Sequence, residues 1–417
     1  MTEATEHEVT PPTNQQHRAL VITTSDVRGR STGARLRADS LIRAVGSVAR
    51  TDLAVIGRTI DTSAMSPLGV RSISGLPGPD LRTRLGRFGR VAGISVPYTL
   101  AVINPSRTRK AFFDSFPDPY DLTLFLEPTS WYLLGSLVGG YKVVDLDDRM
   151  DVFYKRQAWA ASLERGRLSL VAPLMGNPSR LRMESRRWAR FQSDMARLAD
   201  LSLYVSSGDV FDTAMDSAIV PNGSDDPGSW SPDPRPIDHP TILFLGFLRY
   251  EPNQQAARVL VHDILPSVRR RLGPVSVVIA GEAPDEIHRL AQDPHVTVTG
   301  YVDDLEALYT SADVVAVPLQ VGSGSRIKIV EAWARGIPVV STTIGAEGLE
   351  ALDGEHLLLA NAPGDFADAL VRLLSDADLR QHLRLTARRR FEERFQWTVI
   401  RSDLKRVLEE RLEQTSR

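Results

Sequence analysis

Residues 313–350 read DVVAVPLQVGSGSRIKIVEAWARGIPVVSTTIGAEGLE. An apolar run ends at Pro318-Leu319, and a loop with Gly322, Ser323, Gly324 and Ser325 follows. A helix then begins near Arg326 and stops at Gly336, and PVVST (338–342) reads as a second strand. Where strands are parallel, ligands bind at their carboxyl ends. A glycine-bearing loop that opens a helix there offers backbone N–H groups and the positive end of a helix dipole to a phosphate. Arg326 and Lys328 add full charges in a first turn where cations are intrinsically unfavourable, so an anionic ligand would explain them. Glu331 lies one turn further on and, near a diphosphate, could accept hydrogen bonds from ribose hydroxyls. An ordinary βαβ unit with a solvated Arg and Lys accounts for the loop equally well, because short glycine motifs are weak evidence.

Working outward, strand-like runs alternate with helix-length segments almost throughout, which predicts parallel α/β sheets. The first half offers ALVITT (19–24), DLAVIG (52–57), DLTLFL (121–126), YKVVDL (141–146) and LSLYVS (201–206), and a long helix from Ser179 to Ala199. The second half offers TILFLG (241–246), VSVVIAG (275–281), HVTVTG (295–300), DVVAVPL (313–319) and PVVST. Six prolines fall within 221–240, too many for a helix or a central strand, so that stretch reads as a linker. The expected division is a polar tail (1–17), a first Rossmann-like domain (18–220), the linker, a second domain (241–395) and a C-terminal helix (396–417) able to return to the first domain.

The chain has 417 residues, 42% hydrophobic and 24% charged, which excludes a disordered, collagenous or coiled-coil protein. Cysteine is absent, excluding disulfides, a thiol nucleophile and cysteine-ligated metal. The tail lacks the apolar core of a signal peptide, and no apolar run reaches spanning length, so a cytoplasmic protein is expected. The net charge of −2 hides an asymmetry. Residues 19–200 carry 27 Lys+Arg against 17 Asp+Glu, and residues 201–417 carry 22 against 32. The basic half is expected to meet something anionic. Because Arg dominates over Lys everywhere, arginine richness is not read as phosphate recognition, and no nucleic-acid partner is expected.

The run GSGSRIKIVEAWARGIPVVSTTIGAEGL resembles the donor-binding signature of the family-4 retaining glycosyltransferases, in the branch with a GSGTRLKxxEAxAxGxPVVSTxxGxEGL pattern. FLGFLRYEPNQQA (244–256), VTGYVDDLEALYTSADVVAVPL (298–319) and FEERFQWTVI (391–400) extend the similarity; VVDLDDR (143–149) and AIVPNGSD (218–225) carry it more loosely into the first half. The resemblance implies the two-Rossmann-domain GT-B fold, a nucleotide-diphosphate sugar as substrate, no cofactor and no metal. It implies that Glu331 holds the ribose and that Ser323, Gly324, Ser325, Arg326 and Lys328 face the diphosphate. Two features of the family's commonest form are replaced. Its first glutamate, which contacts the transferred sugar, falls on Ser323, and no histidine occurs between His17 and His239. The usual Arg/Lys pair falls on Phe247 and Asn253, with Arg249 nearby.

Three further stretches carry candidates. Asp145, Asp147 and Asp148 follow a strand; they suit a hard-metal cluster, an acceptor-facing or catalytic carboxylate (Asp148 foremost), or capping and salt bridging. In the loop SDVRGRSTG (25–33), the resemblance directs Ser31, Thr32 and Gly33 toward the donor phosphates; a plain βα turn fits equally. Arg82, Arg84, Arg87 and Arg90 precede an apolar stretch (91–103). That combination suits either docking on an anionic membrane surface or a solvated face of a core helix. The reading is a glycosyltransferase with Arg326, Lys328 and Asp148 as catalytic candidates and an unidentified acceptor: lipid-linked, glycan or small molecule. A sugar-nucleotide epimerase of the same fold and a donor-binding subunit without turnover remain alternatives.

Overall fold

Successive residues of a strand point to opposite faces of its sheet, so a strand covered on both sides must be apolar at every position. In the computed structural model, Ala19 and Val21 join one core cluster with Leu53, Leu124 and Leu203, while Leu20 and Ile22 join another with Ala54, Phe125 and Val144. The structure describes residues 17–25, 33–57, 69–81, 96–163, 177–228, 230–231, 237–321 and 326–415.

Among these residues the chain builds two parallel sheets. The first contains β1 (Arg18–Thr23), β2 (Arg50–Ile56) and β3 (Ser72–Leu76). A small antiparallel pair, β4 (Asp80–Leu81) with β5 (Ile103–Asn104), stands apart. The sheet continues with β6 (Leu122–Phe125), β7 (Tyr141–Leu146), β8 (Leu201–Tyr204) and β9 (Ser217–Ile219), in the order β3-β2-β1-β6-β7-β8-β9. The second sheet holds β10 (Thr241–Leu245), β11 (Ser276–Ala280), β12 (Val296–Gly300), β13 (Val314–Val317), β14 (Val339–Ser341) and β15 (Leu358–Leu359), in the order β12-β11-β10-β13-β14-β15. In each, the strand order reverses once, between β1 and β6 and between β10 and β13. The loops leaving those neighbours diverge and open a crevice, the usual ligand position of such a sheet. The architecture is α/β of the GT-B type.

The ten strands expected from the apolar runs are present. The edge strands β3, β9 and β15 were not expected, being short and, in β3 and β9, polar. The long helix spans Pro178–Leu198, capped by Asn177, whose side chain accepts from the Ser179 amide at 2.9 Å.

The proline-rich stretch is not a free tether in its described part. The Ser224 amide donates to the Phe395 carbonyl (2.9 Å), the Trp397 amide donates to the Ser224 carbonyl (3.1 Å), and Arg388 pairs with Asp226. There the chain crosses back. Trp397, Ile400, Leu404, Leu408 and Leu412 lie along one stripe of the terminal helix Trp397–Thr415, buried in the first sheet's core against the helix Gly33–Val48.

Arg37, on the helix Gly33–Val48, is 1% exposed. Its Nη2 donates to Asp145 at the end of β7 (2.6 Å), and its Nη1 donates to the Val220 carbonyl (2.6 Å) and to Asn222 Oδ1 (3.3 Å). One guanidinium thus fixes a helix, a strand end and the chain leaving the sheet. Arg37→Met leaves a buried carboxylate without its cation and is expected to cost about 3–5 kcal/mol of stability. Denaturant unfolding of the purified variant measures this, and a loss below about 1 kcal/mol would show the pair to be dispensable.

Candidate functional site in the cleft between the sheets

The crevice above β10 and β13 is shaped by close backbone approach. Gly281, at the end of β11, has φ +139°, and a Cβ there would lie 1.8 Å from the Gly246 carbonyl oxygen. Gly246, at the end of β10, meets the Asn253 side chain; a Cβ would lie 2.9 Å from it. These two glycines let the wall close and bring Asn253 inward, where its Nδ2 donates to the Phe247 carbonyl (3.0 Å). The resulting cavity, about 620 Å³, is lined from the second sheet by Asn253, Arg326, Lys328 and Glu331 and from the first unit by Gly33 and Asp148.

The helix Ile327–Ala334 places the charges. It stops where Gly336 takes φ +62° and Ile337 donates back to the Ala332 carbonyl (2.8 Å). Lys328 Nζ donates to Asn253 Oδ1 (3.1 Å) and stands 5.0 Å from the centre of the Phe244 ring. Burial, then the nearby Arg326 charge, pulls its pKa down to about 7. Glu331 Oε2 accepts from the hydroxyl of fully buried Tyr309 (2.8 Å). Burial raises the Glu331 pKa, opposed first by that hydrogen bond. Arg326 precedes the helix and is 7% exposed; its Nη2 donates to Glu347 Oε2 (3.2 Å).

Glu347 also receives Arg156, at 2.8 Å on Oε2 and 2.6 Å on Oε1. Arg156 belongs to the helix Met150–Leu163, which follows β7 of the first sheet. Phe153 of that helix stacks on Tyr250, ring centres 6.2 Å apart. Asp148 faces Arg326, whose charge is the main influence opposing the rise in its pKa caused by burial. Its Oδ1 is buried without a hydrogen-bond partner among the described residues.

Of the residues singled out from the sequence, Gly33, Asp148, Asn253, Arg326, Lys328 and Glu331 therefore share one cavity. Arg249 does not line it: the guanidinium lies on the rim against Glu282 (2.7 Å), 59% exposed, because the turn after β10 directs it outward. Ser323, Gly324 and Ser325 lie outside the described residues, as do Ser31, Thr32, Arg82, Arg84, Arg87 and Arg90. No group of His, Asp or Glu that could hold a metal ion occurs among the described residues, so Asp145, Asp147 and Asp148 do not converge as ligands. Asp145 is committed to Arg37. The sequence reading missed Tyr309, Arg156 and Glu347. Glu347 sits inside the quoted stretch, but its partner comes from about 190 residues away, which no local spacing signals.

Comparison with known proteins agrees with this architecture. Residues 239–376 match the family described as glycosyl transferases group 1. A phosphatidyl-myo-inositol mannosyltransferase of Mycobacterium leprae is 35% identical over 205 residues, 46% of this chain and 54% of that protein. A GDP-mannose-dependent alpha-(1-6)-phosphatidylinositol monomannoside mannosyltransferase of Mycobacterium tuberculosis is 28% identical over 183 residues, 40% of this chain and 46% of its own. The chain thus spans about half the length of the curated relatives it matches. Among solved structures, sucrose-phosphate synthase from Thermosynechococcus elongatus superposes with a TM-score of 0.67 at 16% identity, covering 96% of this chain and 100% of the other. HepE of Anabaena, solved with UDP and glucose, gives 0.63 at 15% identity over 94% and 99%. These likenesses establish the fold.

The depressed Lys328 pKa has a signed consequence. Between about pH 7 and the ordinary lysine value near 10.4, the unfolded chain holds a proton that folded Lys328 has released, so stability rises with pH across that window. The slope from this group is at most about 1.4 kcal/mol per pH unit. Lys328→Met is expected to lack that rise. Denaturant melts of both proteins at steps between about pH 7 and about pH 10 compare the slopes, and parallel curves would contradict the assignment.

Proposed function

We propose that this chain is a glycosyltransferase that moves a sugar from a nucleoside-diphosphate donor to an acceptor held by the first unit, with retention of configuration and without a metal ion. The observation carrying this reading is a pair of cations, buried Arg326 and half-buried Lys328, at a helix start in the crevice, with Glu331 one turn beyond. A nucleoside diphosphate answers each part: its phosphates meet the cations and its ribose hydroxyls meet the carboxylate. The group 1 match over 239–376 and the nucleotide-sugar relatives support the same class.

In the reaction the bond from the sugar's anomeric carbon to the β-phosphate oxygen breaks, and a bond from that carbon to the acceptor oxygen forms. The acceptor's proton passes to the departing diphosphate. Negative charge grows on the diphosphate as this proceeds, so preorganised cations in a desolvated site stabilise the transition state more than the ground state. We assign that task to Arg326 and Lys328. Binding the anion would return a proton to Lys328, restoring its charge where it is used.

The test is turnover of radiolabelled UDP-, GDP- and dTDP-sugars. Transfer or hydrolysis supports this reading, an altered sugar points to an epimerase, and binding without turnover points to a donor-binding subunit. Glu331→Ala is expected to weaken donor binding by roughly 2–4 kcal/mol while the fold persists, and activity is expected to survive EDTA. Loss in EDTA restored by Mg2+ would overturn the metal-independent mechanism.

We further propose that the protein works at the cytoplasmic face of an anionic membrane on a lipid-linked acceptor. The excess of basic residues in 19–200 supports this, as do Arg182, Arg186 and Arg190, exposed at four-residue spacing along the helix Pro178–Leu198. The relatives named for phosphatidyl-myo-inositol act on a lipid of that kind by their names. Each arginine near such a surface contributes about 1 kcal/mol, which gives reversible, salt-sensitive docking. Flotation with vesicles of anionic lipid should recover the protein at low salt, and neutralising those three arginines should weaken recovery. Failure to float with any anionic lipid at low salt ends this part of the proposal.

A further inference from the structure

A second cavity, about 260 Å³, adjoins the main cleft and shares Arg326 with it. Asp147, Arg149, Asn222, Arg156 and Glu347 stand in its wall. Most of these groups are committed to one another. Arg149 donates to Asp151 (2.8 Å) and to the Asp209 carbonyl (2.9 Å), Arg156 and Arg326 both lie on Glu347, and Asn222 Oδ1 accepts from Arg37. Asp147 differs: its carboxyl accepts no hydrogen bond among the described residues, although it is desolvated enough that burial, followed by Asp148 and Asp145, pushes its pKa well up against the pull of Arg37. A carboxyl that opens on a cavity and takes no donor from the protein leaves its acceptor sites to a partner that enters the cavity.

The helix Ile327–Ala334 gives the direction in which to look for that partner. Glu331, Lys328 and Arg326 succeed one another toward its start, and on the proposed function they meet ribose and then diphosphate. The group bonded to the outer phosphate must therefore lie beyond Arg326, and beyond Arg326 is the second cavity. We infer that this cavity holds the transferred sugar and that Asp147 accepts hydrogen bonds from its hydroxyls, making Asp147 a specificity residue supplied by the opposite sheet. The two aspartates then divide the junction: Asp148 faces the main cleft and Asp147 the sugar.

The inference rests on the proposed function, and calorimetric titration separates the two. Wild type, Asp147→Asn and Asp147→Ala are titrated with UDP and GDP and with UDP-glucose, UDP-galactose and GDP-mannose, after thermal melts establish that the variants fold. Both substitutions remove a repelling carboxyl beside Asp145 and Asp148, so the melts should hold. The variants are expected to bind the bare diphosphate as wild type does and the matching nucleotide sugar about ten- to hundredfold more weakly, with Asn losing less than Ala. Unchanged affinity for the nucleotide sugar overturns the inference and leaves the donor site standing. Equal losses for diphosphate and nucleotide sugar also overturn it, since Asp147 would then act on the phosphates, as does a wild type that binds the diphosphate but none of these sugars. A wild type that binds no nucleoside diphosphate removes the proposed function itself, and this inference with it.

Discussion

Two cations at the start of one helix, Arg326 buried and Lys328 half-buried, are the constraint around which the rest of the cleft is arranged. The end of the helix dipole nearest Arg326 and Lys328 is positive, so the helix disfavours them, and burial removes the water that would compensate. The fold moderates this without cancelling it. Lys328 has the Asn253 side-chain Oδ1 and the face of Phe244, and it sheds its proton near neutrality. Arg326 cannot shed its proton and leans on Glu347. The glycines at the ends of β10 and β11 follow from the same need, since Asn253 reaches Lys328 only because nothing larger than hydrogen occupies position 246.

Glu347 couples this local balance to the larger assembly. Its carboxylate is shared between Arg326, beside the second sheet, and Arg156, on a helix that follows a strand of the first. The two arginines together hold its pKa below the ordinary glutamate value despite its partial desolvation. An anion that engaged Arg326 would compete with Glu347 for it and leave the carboxylate to Arg156. The crevice is thereby connected through one side chain to the helix that carries Phe153, which stacks on Tyr250.

The parts legible in the sequence are those encoded over short distances. Continuous apolar runs identify strands covered on both faces. The run from Val314 to Gly336 sets strand, turn, helix start and helix stop within a few residues of one another. Lys328 and Glu331 could be placed together because three residues on a helix fix their relation. Edge strands escaped because Ser72–Leu76 and Ser217–Ile219 owe their pairing to a neighbour's free edge more than to their own side chains. Arg249 was misplaced because a turn, unlike a helix, does not dictate where its side chain points. Tyr309, Arg156 and Glu347 acquire meaning only when distant segments meet, and a single chain read in order carries no record of that meeting.

The position of Asp148 bears on which group handles the acceptor's proton. Its carboxyl is desolvated, its pKa is raised, and Arg326 is the largest influence favouring its ionised form. On the proposed reading a bound diphosphate draws that same cation and adds negative charge nearby, and both effects push Asp148 further toward its neutral form. A carboxyl made harder to ionise by the arrival of substrate is poorly suited to removing a proton from an alcohol. It is well suited to donating a hydrogen bond to an oxygen on which charge is growing. The departing diphosphate is then the better base, because it gains negative charge at the moment the acceptor oxygen gives up its proton. That assignment needs no histidine in the first half of the chain, where the sequence has none between His17 and His239.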